Sequence, residues 1–190
     1  VSPPSFQSPT FNQVIRNFDI KFSPAPQDEE KYTDKQGNQI LSATWKNPEN
    51  TIDARLSFDV SNTTTLKTLD TNAPFPLHTI PDDIKYYLKP TKQIQSEDPR
   101  IKKLARELTK GVNTEFDAVQ QTLTWVVDNI RYVTPPGQYD ALYSLESGKG
   151  NCQNYSHMAA ALMRTVGIPV RIVNGVTLKK GFNIARQGGT

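Results

Sequence analysis

The hydrophobic period of this chain changes once, near residue 80, and that change constrains the fold more than any other feature. Before it, apolar residues recur at every second position: Ile52, Ala54, Leu56, Phe58 and Val60. This is the alternation of a strand with one face buried. Phe18-Asp19-Ile20-Lys21-Phe22 alternates in the same way, so residues 14–22 predict a strand that Pro24 and Pro26 end. Ile40 to Trp45 predicts another, between the turn clusters Asp34-Lys35-Gln36-Gly37-Asn38 and Asn47-Pro48-Glu49-Asn50. Short strands at this spacing predict a small antiparallel sandwich or sheet over residues 1–80. That stretch holds no cysteine and no glycine-rich phosphate loop, and it reads as a module for binding or spacing. Pro74, Pro76, Pro81 and Pro90 crowd the junction.

After the junction the period becomes helical. Asp98 stands where an N-cap belongs, with Pro99 at the first helical position. Ile101, Leu104, Ala105 and Leu108 then form one apolar stripe, and Gly111 stops the helix. Thr114 caps a second helix whose stripe is Phe116, Val119, Leu123, Val126, Val127 and Ile130, and Pro135-Pro136-Gly137 forbids its continuation. A glycine-rich loop, Ser147-Gly148-Lys149-Gly150-Asn151, leads into Cys152 and a helix rich in alanine and methionine, closed by Gly167 and Pro169. Val170 to Leu178 is β-branched and predicts a strand. The expectation is an α+β chain: a β module over 1–80, then residues 81–190 with helices at 98–110, 114–131 and 152–166.

Composition excludes several classes of function. A single cysteine, Cys152, permits no intrachain disulfide and no multi-cysteine zinc site. The two histidines, His78 and His157, leave little for a histidine-rich metal centre, and no acidic loop matches a calcium site. No metal and no cofactor are expected. Twenty-two basic against 19 acidic residues give a net charge of +3, too mild for a nucleic-acid partner. Eight basic residues fall between Lys85 and Lys110, and they read as a solvated face. No run approaches the 18 apolar residues of a membrane span. Val1 to Ser5 carry neither a basic start nor an apolar run, so a secretory signal would lie upstream of this numbering. A proline-rich start and a β module ahead of the helical half suggest an exported bacterial protein.

Cys152 is the residue that can carry chemistry. A nucleophilic sulfur reacts as thiolate, and a helix N-terminus offers unpaired N–H groups and a partial positive charge that favour an anion. The same N–H groups can stabilise the oxyanion formed when sulfur attacks a carbonyl. Gly148 and Gly150 would let a substrate approach the backbone closely. On position alone, an inert buried thiol competes evenly with this reading.

The wording of the stretch favours the nucleophile. Gly148-Lys149-Gly150-Asn151-Cys152-Gln153-Asn154-Tyr155, then Leu162-Met163-Arg164-Thr165-Val166-Gly167-Ile168-Pro169-Val170-Arg171, resembles the transglutaminase-like superfamily. That family shows G-x-C at a helix start, then a small-residue helix ending in L-x-R-x-x-G-I-P-x-R. Trp125 to Tyr132 is similar to its preceding helix end, so the resemblance covers about residues 80–178. It implies the helical and first-strand part of a papain-like core, with Cys152 as nucleophile of a Cys-His-Asp triad acting on a protein or peptide substrate. Cys152 would attack an amide carbonyl, form a thioester and release an amine, and its N–H would donate to the oxyanion. The family's histidine and aspartate come on later strands, whereas here no histidine but His157 follows Cys152 and no aspartate follows Asp140. The chain therefore reads as truncated before those strands.

Other residues weigh less. His157, five positions after Cys152, lies about 140° from it around a helix and reads as packing or surface. His78 sits in the proline-rich bridge. Trp125 lies inside a helix and reads as packing, Tyr132 and Tyr139 are candidates to line a cleft, and Arg171 reads as structural. Asn62-Thr63-Thr64 and Asn154-Tyr155-Ser156 match a glycosylation pattern by chance. Three functions stay open: a peptidase or amidase, the reading preferred for the parent protein; a protein-crosslinking acyltransferase, which shares the acyl step and which the motif does not separate from it; and a non-catalytic binding module on a papain-like scaffold, which the missing histidine favours and the intact G-x-C helix start opposes.

Overall fold

In the computed structural model, which describes residues 6–7, 11–34, 37–47, 51–68 and 70–175, one asparagine keeps the apolar side chains of the first sheet on one face. Strand β2 (Phe11–Ser23) pairs antiparallel with β5 (Asp53–Thr64), and the short β1 (Phe6–Gln7) pairs with the other edge of β2. The register runs Ile15↔Val60 and Arg16↔Asp59, then resumes at Asp19↔Ser57 and Ile20↔Leu56, so Asn17 and Phe18 together face Phe58. This is a β-bulge. Asn17 takes φ 52, a left-handed conformation that asparagine tolerates better than most residues, and its amide donates to Asp59 Oδ2 at 2.6 Å. The extra residue shifts the parity of β2. Ile15 before it, and Phe18, Ile20 and Phe22 after it, therefore share the face of Val60, Leu56 and Ala54. That shift is why the alternation is readable in the sequence only from Phe18 onward.

The hairpin of β3 (Asp28–Thr33) and β4 (Gln39–Thr44) forms a second antiparallel sheet. Strand β3, Asp-Glu-Glu-Lys-Tyr-Thr, is exposed throughout. It carries no alternation and was not expected, because its conformation comes from pairing with β4 rather than from its own residues. Trp45 stacks edge-on against Phe22, with ring centres 5.3 Å apart, and donates its indole N–H to the Pro24 carbonyl at 3.0 Å. These strands lie in a compact unit of residues 1–68.

The second unit comprises residues 69–190. The proline-rich stretch before residue 80 joins it: Phe75 N–H donates to Asn113, Glu115 N–H donates to the Ala73 carbonyl, and Phe75 and Leu77 pack on the helical core. A 3-10 turn (Lys85–Leu88) leads to α1 (Pro99–Leu108), whose N-cap Asp98 accepts from Arg100 N–H at 2.9 Å. Helix α2 (Glu115–Asn129) is capped by Thr114, which accepts from Asp117 N–H. A third helix, α3 (Ala141–Ser147), was not expected: it is under two turns long, and its sequence signals are its cap Asp140 and the terminating Gly148 at φ 60. Helix α4 (Cys152–Thr165) is central and packs against α1, α2 and α3. Met158, Ala160, Ala161 and Leu162 on it are fully buried, and the alanines allow the neighbouring helices to approach closely.

Two expectations need correction. The stripe expected on α2 included Leu123 and Val127, yet these are 40% and 65% exposed. Val126 and Ile130 of that stripe are buried as expected, but Ala118 and Thr122 take the inner line in place of Leu123 and Val127, because small side chains fit against α4 and the Thr122 hydroxyl is satisfied by the Ala118 carbonyl at 2.9 Å. The strand expected from Val170 is not formed by residues 170–175, and residues 176–178 lie outside the described residues. A strand needs a partner, and Val170 N–H is tied to the Tyr87 carbonyl of the 3-10 turn instead.

Candidate active site

Three backbone segments converge on the start of α4. The end of α2 runs into β6 (Arg131–Tyr132), which pairs in parallel with β7 (Lys149–Gly150). Arg131 N–H donates to Gly148 and Val133 N–H to Gly150, both at 2.8 Å, so the residues just before Cys152 are pinned to the exit of α2. The Tyr155 hydroxyl, one turn into α4, donates to the Ile130 carbonyl and strengthens the same junction. Tyr132 lies 6.1 Å from the Tyr155 ring.

Cys152 is the first residue of α4 and is exposed. Its N-cap Asn151 accepts from Gln153 N–H at 3.0 Å, and Asn151 N–H donates to Asn154 Oδ1 at 3.1 Å. The Asn151 side chain also accepts from the Asn154 backbone N–H, so Asn151 and Asn154 form a reciprocal capping box in which two otherwise orphan donors are satisfied. The N–H of Cys152, as first helical residue, has no i−4 carbonyl within the helix and remains available to a ligand. Gly150 allows the loop to pass over the helix: a Cβ there would fall 2.3 Å from Asn154 Cβ.

Beyond the cysteine, the face of α4 carrying Ser156 borders an apolar groove of about 360 Å³ lined by Leu123, Val127, Tyr155, Ala160, Met163 and Ile172. At the far end Arg164 reaches across the turn after the helix. It donates to the Val170 carbonyl at 2.6 and 3.1 Å and to the Lys89 carbonyl at 2.6 Å. Burial lowers the pKa of this guanidinium from its ordinary value. Gly167 sits at φ 85, which a β-carbon would strain, and Ile168 is buried. The signature Leu162-x-Arg164-x-x-Gly167-Ile168-Pro169 thus has a local physical meaning: a helix end, a left-handed stop, a buried anchor and a cation holding the returning chain.

Residues 102–188 match the family model of the transglutaminase-like superfamily. Over those residues the helical half is similar to the transglutaminase-like superfamily. A crystal structure of a candidate cysteine protease from Cytophaga hutchinsonii is similar over 88% of this chain, with a TM-score of 0.67 and 20% identity. At that identity the likeness is one of fold: antiparallel strands followed by helices. The match covers 57% of that protein, so this chain spans just over half its length. No curated protein matches the sequence.

Within the helical unit, the remaining candidates fall into place around Cys152 or away from it. Among the described residues the Cys152 sulfur takes no hydrogen bond. The Nδ1 of His157 is held at the Tyr139 carbonyl, 2.5 Å away. His78 is exposed in the stretch before the helices. Tyr132 and Tyr139 are 60% and 43% exposed on the segment between α2 and α3, while Trp125 packs against the core. Arg171 is exposed beside the apolar groove. Lys85, Arg100 and Lys102 of the basic stretch pair with Asp82, with Asp98 and Glu146, and with Glu97. Among the described residues no three His, Cys, Asp or Glu side chains cluster as a metal site, and no helix is long and apolar enough to cross a membrane. Asn154 and Arg164 stand within the family pattern, but the sequence reading gave neither a role. A polar residue inside an otherwise apolar helix, and an arginine at fixed spacing from Gly-Ile-Pro, were the available signals.

Proposed function

We propose that the transglutaminase-like domain performs cysteine-dependent amide chemistry and serves a peptidase or amidase, with Cys152 as nucleophile. The observation that carries this reading is an exposed sulfur on the first residue of a capped, centrally packed helix, with that residue's own N–H unspent. The thiolate would attack the carbonyl carbon of a protein or peptide amide. The C–S bond forms as the carbonyl oxygen becomes an oxyanion, which the Cys152 N–H and the field of the helix start stabilise. Collapse breaks the C–N bond, the amine leaves with a proton, and water resolves the thioester.

The amine must be protonated as it leaves, and an acid–base residue supplies that proton. His157 and His78 are not placed to do so. The acyl step is therefore the part that this domain's own residues account for. An activated ester isolates that step, because nitrophenolate leaves without protonation. Nitrophenyl acetate is expected to acetylate Cys152, read by intact mass and reversed by hydroxylamine, with no label on Cys152→Ala. Unfolding before labelling should slow the reaction. Equal acetylation of native and denatured chain would overturn the proposal.

A further inference from the structure

We infer that Asn154 is a positioning residue for Cys152, a buried amide that fixes the backbone carrying the nucleophile and its oxyanion donor. The inference rests on the reading of Cys152 given above. Asn154 lies two residues beyond the cysteine, about 200° around the helix, so its side chain points inward while the sulfur points out. It is fully buried, on a helix whose other deeply buried positions are methionine, alanine and leucine.

The orientation of its amide follows from its partners. Asn151 N–H can only donate, so the atom 3.1 Å from it is the carbonyl oxygen Oδ1. The amide nitrogen then faces three acceptors: the Gln138 carbonyl at 3.0 Å, the Asp140 carbonyl at 3.3 Å and Ser144 Oγ at 3.1 Å. The Ser144 hydroxyl donates to the Asp140 carbonyl at 2.9 Å. Asp140 in turn caps α3 through Tyr143 N–H at 2.8 Å. One side chain thus ties the residue before Cys152 to the irregular segment 138–140 and to α3. Gly150 completes the fit, since the asparagine occupies the space that a side chain at 150 would need.

The mechanical consequence concerns the Cys152 N–H. That amide belongs to the peptide linking Asn151 to Cys152, and Asn151 is held at its N–H by Asn154 and through its side chain by Gln153. Tyr155 N–H holds the carbonyl of this same peptide at 3.0 Å, so loss of the Asn154 side-chain contact frees only its N-terminal side, and the direction of the N–H becomes less closely fixed. Asn154 touches neither sulfur nor substrate, so its effect should appear where the oxyanion matters and not where it is absent.

Two labelling reactions separate these cases. Iodoacetamide alkylates the thiolate by displacing iodide from carbon, with no oxyanion. Nitrophenyl acetate acylates it through a tetrahedral oxyanion; the C–S bond forms, nitrophenolate leaves, and the thiol proton has already gone to buffer. Asn154→Ala, checked for native circular dichroism, is expected to slow acetylation about tenfold or more while alkylation changes less than about threefold. A directly deleted oxyanion donor costs about 10²–10³, and an indirect effect should be smaller. Ser144→Ala, which removes one acceptor and keeps the Asn151 contact, should move the ratio in the same direction by a smaller factor, and it decides the matter if Asn154→Ala does not fold. A ratio unchanged in the folded variants, with both rates equal or falling together, overturns the positioning role. A wild-type chain that neither acetylates nor alkylates until denatured would instead overturn the reading of Cys152 itself.

Discussion

The two units bury their residues in different ways, and the difference shows where a reactive group can be held. Among the described residues of the strand unit, Leu41 is the one deeply buried hydrophobic side chain, while Ile52 just before β5 and Leu56 and Val60 on it stay more than a third exposed. The unit is held by ladder hydrogen bonds, a bulge and an aromatic corner. The helical unit buries Ile101, Ala105, Val126, Met158 and Leu162 in one cluster. Three of its buried or half-buried polar side chains hold irregular backbone: Asn154 binds residues 138–140, Arg164 binds Val170, and Thr165 binds Ser96. A half-covered sheet tolerates breathing. A nucleophile that depends on one N–H direction needs the second kind of packing.

The same truncation in both units tests this contrast most strongly. Leu162→Ala removes a fully buried side chain, and it should cost about 2–5 kcal/mol. Leu56→Ala removes one that is 39% exposed, and it should cost about 1 kcal/mol. Each unit carries one tryptophan, Trp45 or Trp125, so denaturant titrations of Trp125→Phe and Trp45→Phe backgrounds report the units separately. Comparable losses at Leu56 and Leu162 would break the contrast.

A smaller effect is expected at the end of α4. Arg164→Met keeps much of the stem but leaves the Val170 and Lys89 carbonyls without their cation, which should cost about 2 kcal/mol. Hydrogen exchange should show the loss at Val170, whose N–H is bound to Tyr87, before it reaches the interior of α4. Uniform loss along the helix would mean that Arg164 acts on general stability and not on the returning chain.

The smallest effect concerns the start of α1. Asp98→Ala removes an N-cap and should cost about 1 kcal/mol. The hydrogen bond from the Arg100 side chain, together with the backbone N–H groups of the first turn, holds the Asp98 carboxyl below its ordinary value of 3.8. A depressed carboxyl contributes stability that is complete well above 3.8 and is lost as pH falls through the lower folded value. The gap in melting temperature between wild type and Asp98→Ala should therefore be constant near neutrality and narrow below about pH 4. A gap that widens in acid would contradict the assignment.

Where local chemistry repeats, the sequence was legible. Asp98-Pro99 and Thr114 announced two helix starts, and the alternation from Ile52 to Val60 announced β5. The position of Cys152 on its helix followed from the glycine-rich loop and the alanines behind it. What stayed hidden depends on partners. Strand β3 has no apolar pattern of its own, and α3 is too short for a periodic signal. The choice between Leu123 and Ala118 as the inner line of α2 is made by the helix lying against it. Asn154 could have been singled out as a polar residue among buried apolar ones, but its four partners lie 3 to 16 positions away, and only the fold brings them together.

The most direct test of the account is the native reactivity of Cys152. The intact chain, treated with iodoacetamide without denaturant and read by mass, is expected to gain a single carbamidomethyl group, mapped to the peptide containing Cys152, at a rate that denaturant does not raise. Labelling that begins only after denaturant is added would show the sulfur to be shielded in the folded chain and would contradict the assignment of Cys152 as an exposed nucleophile.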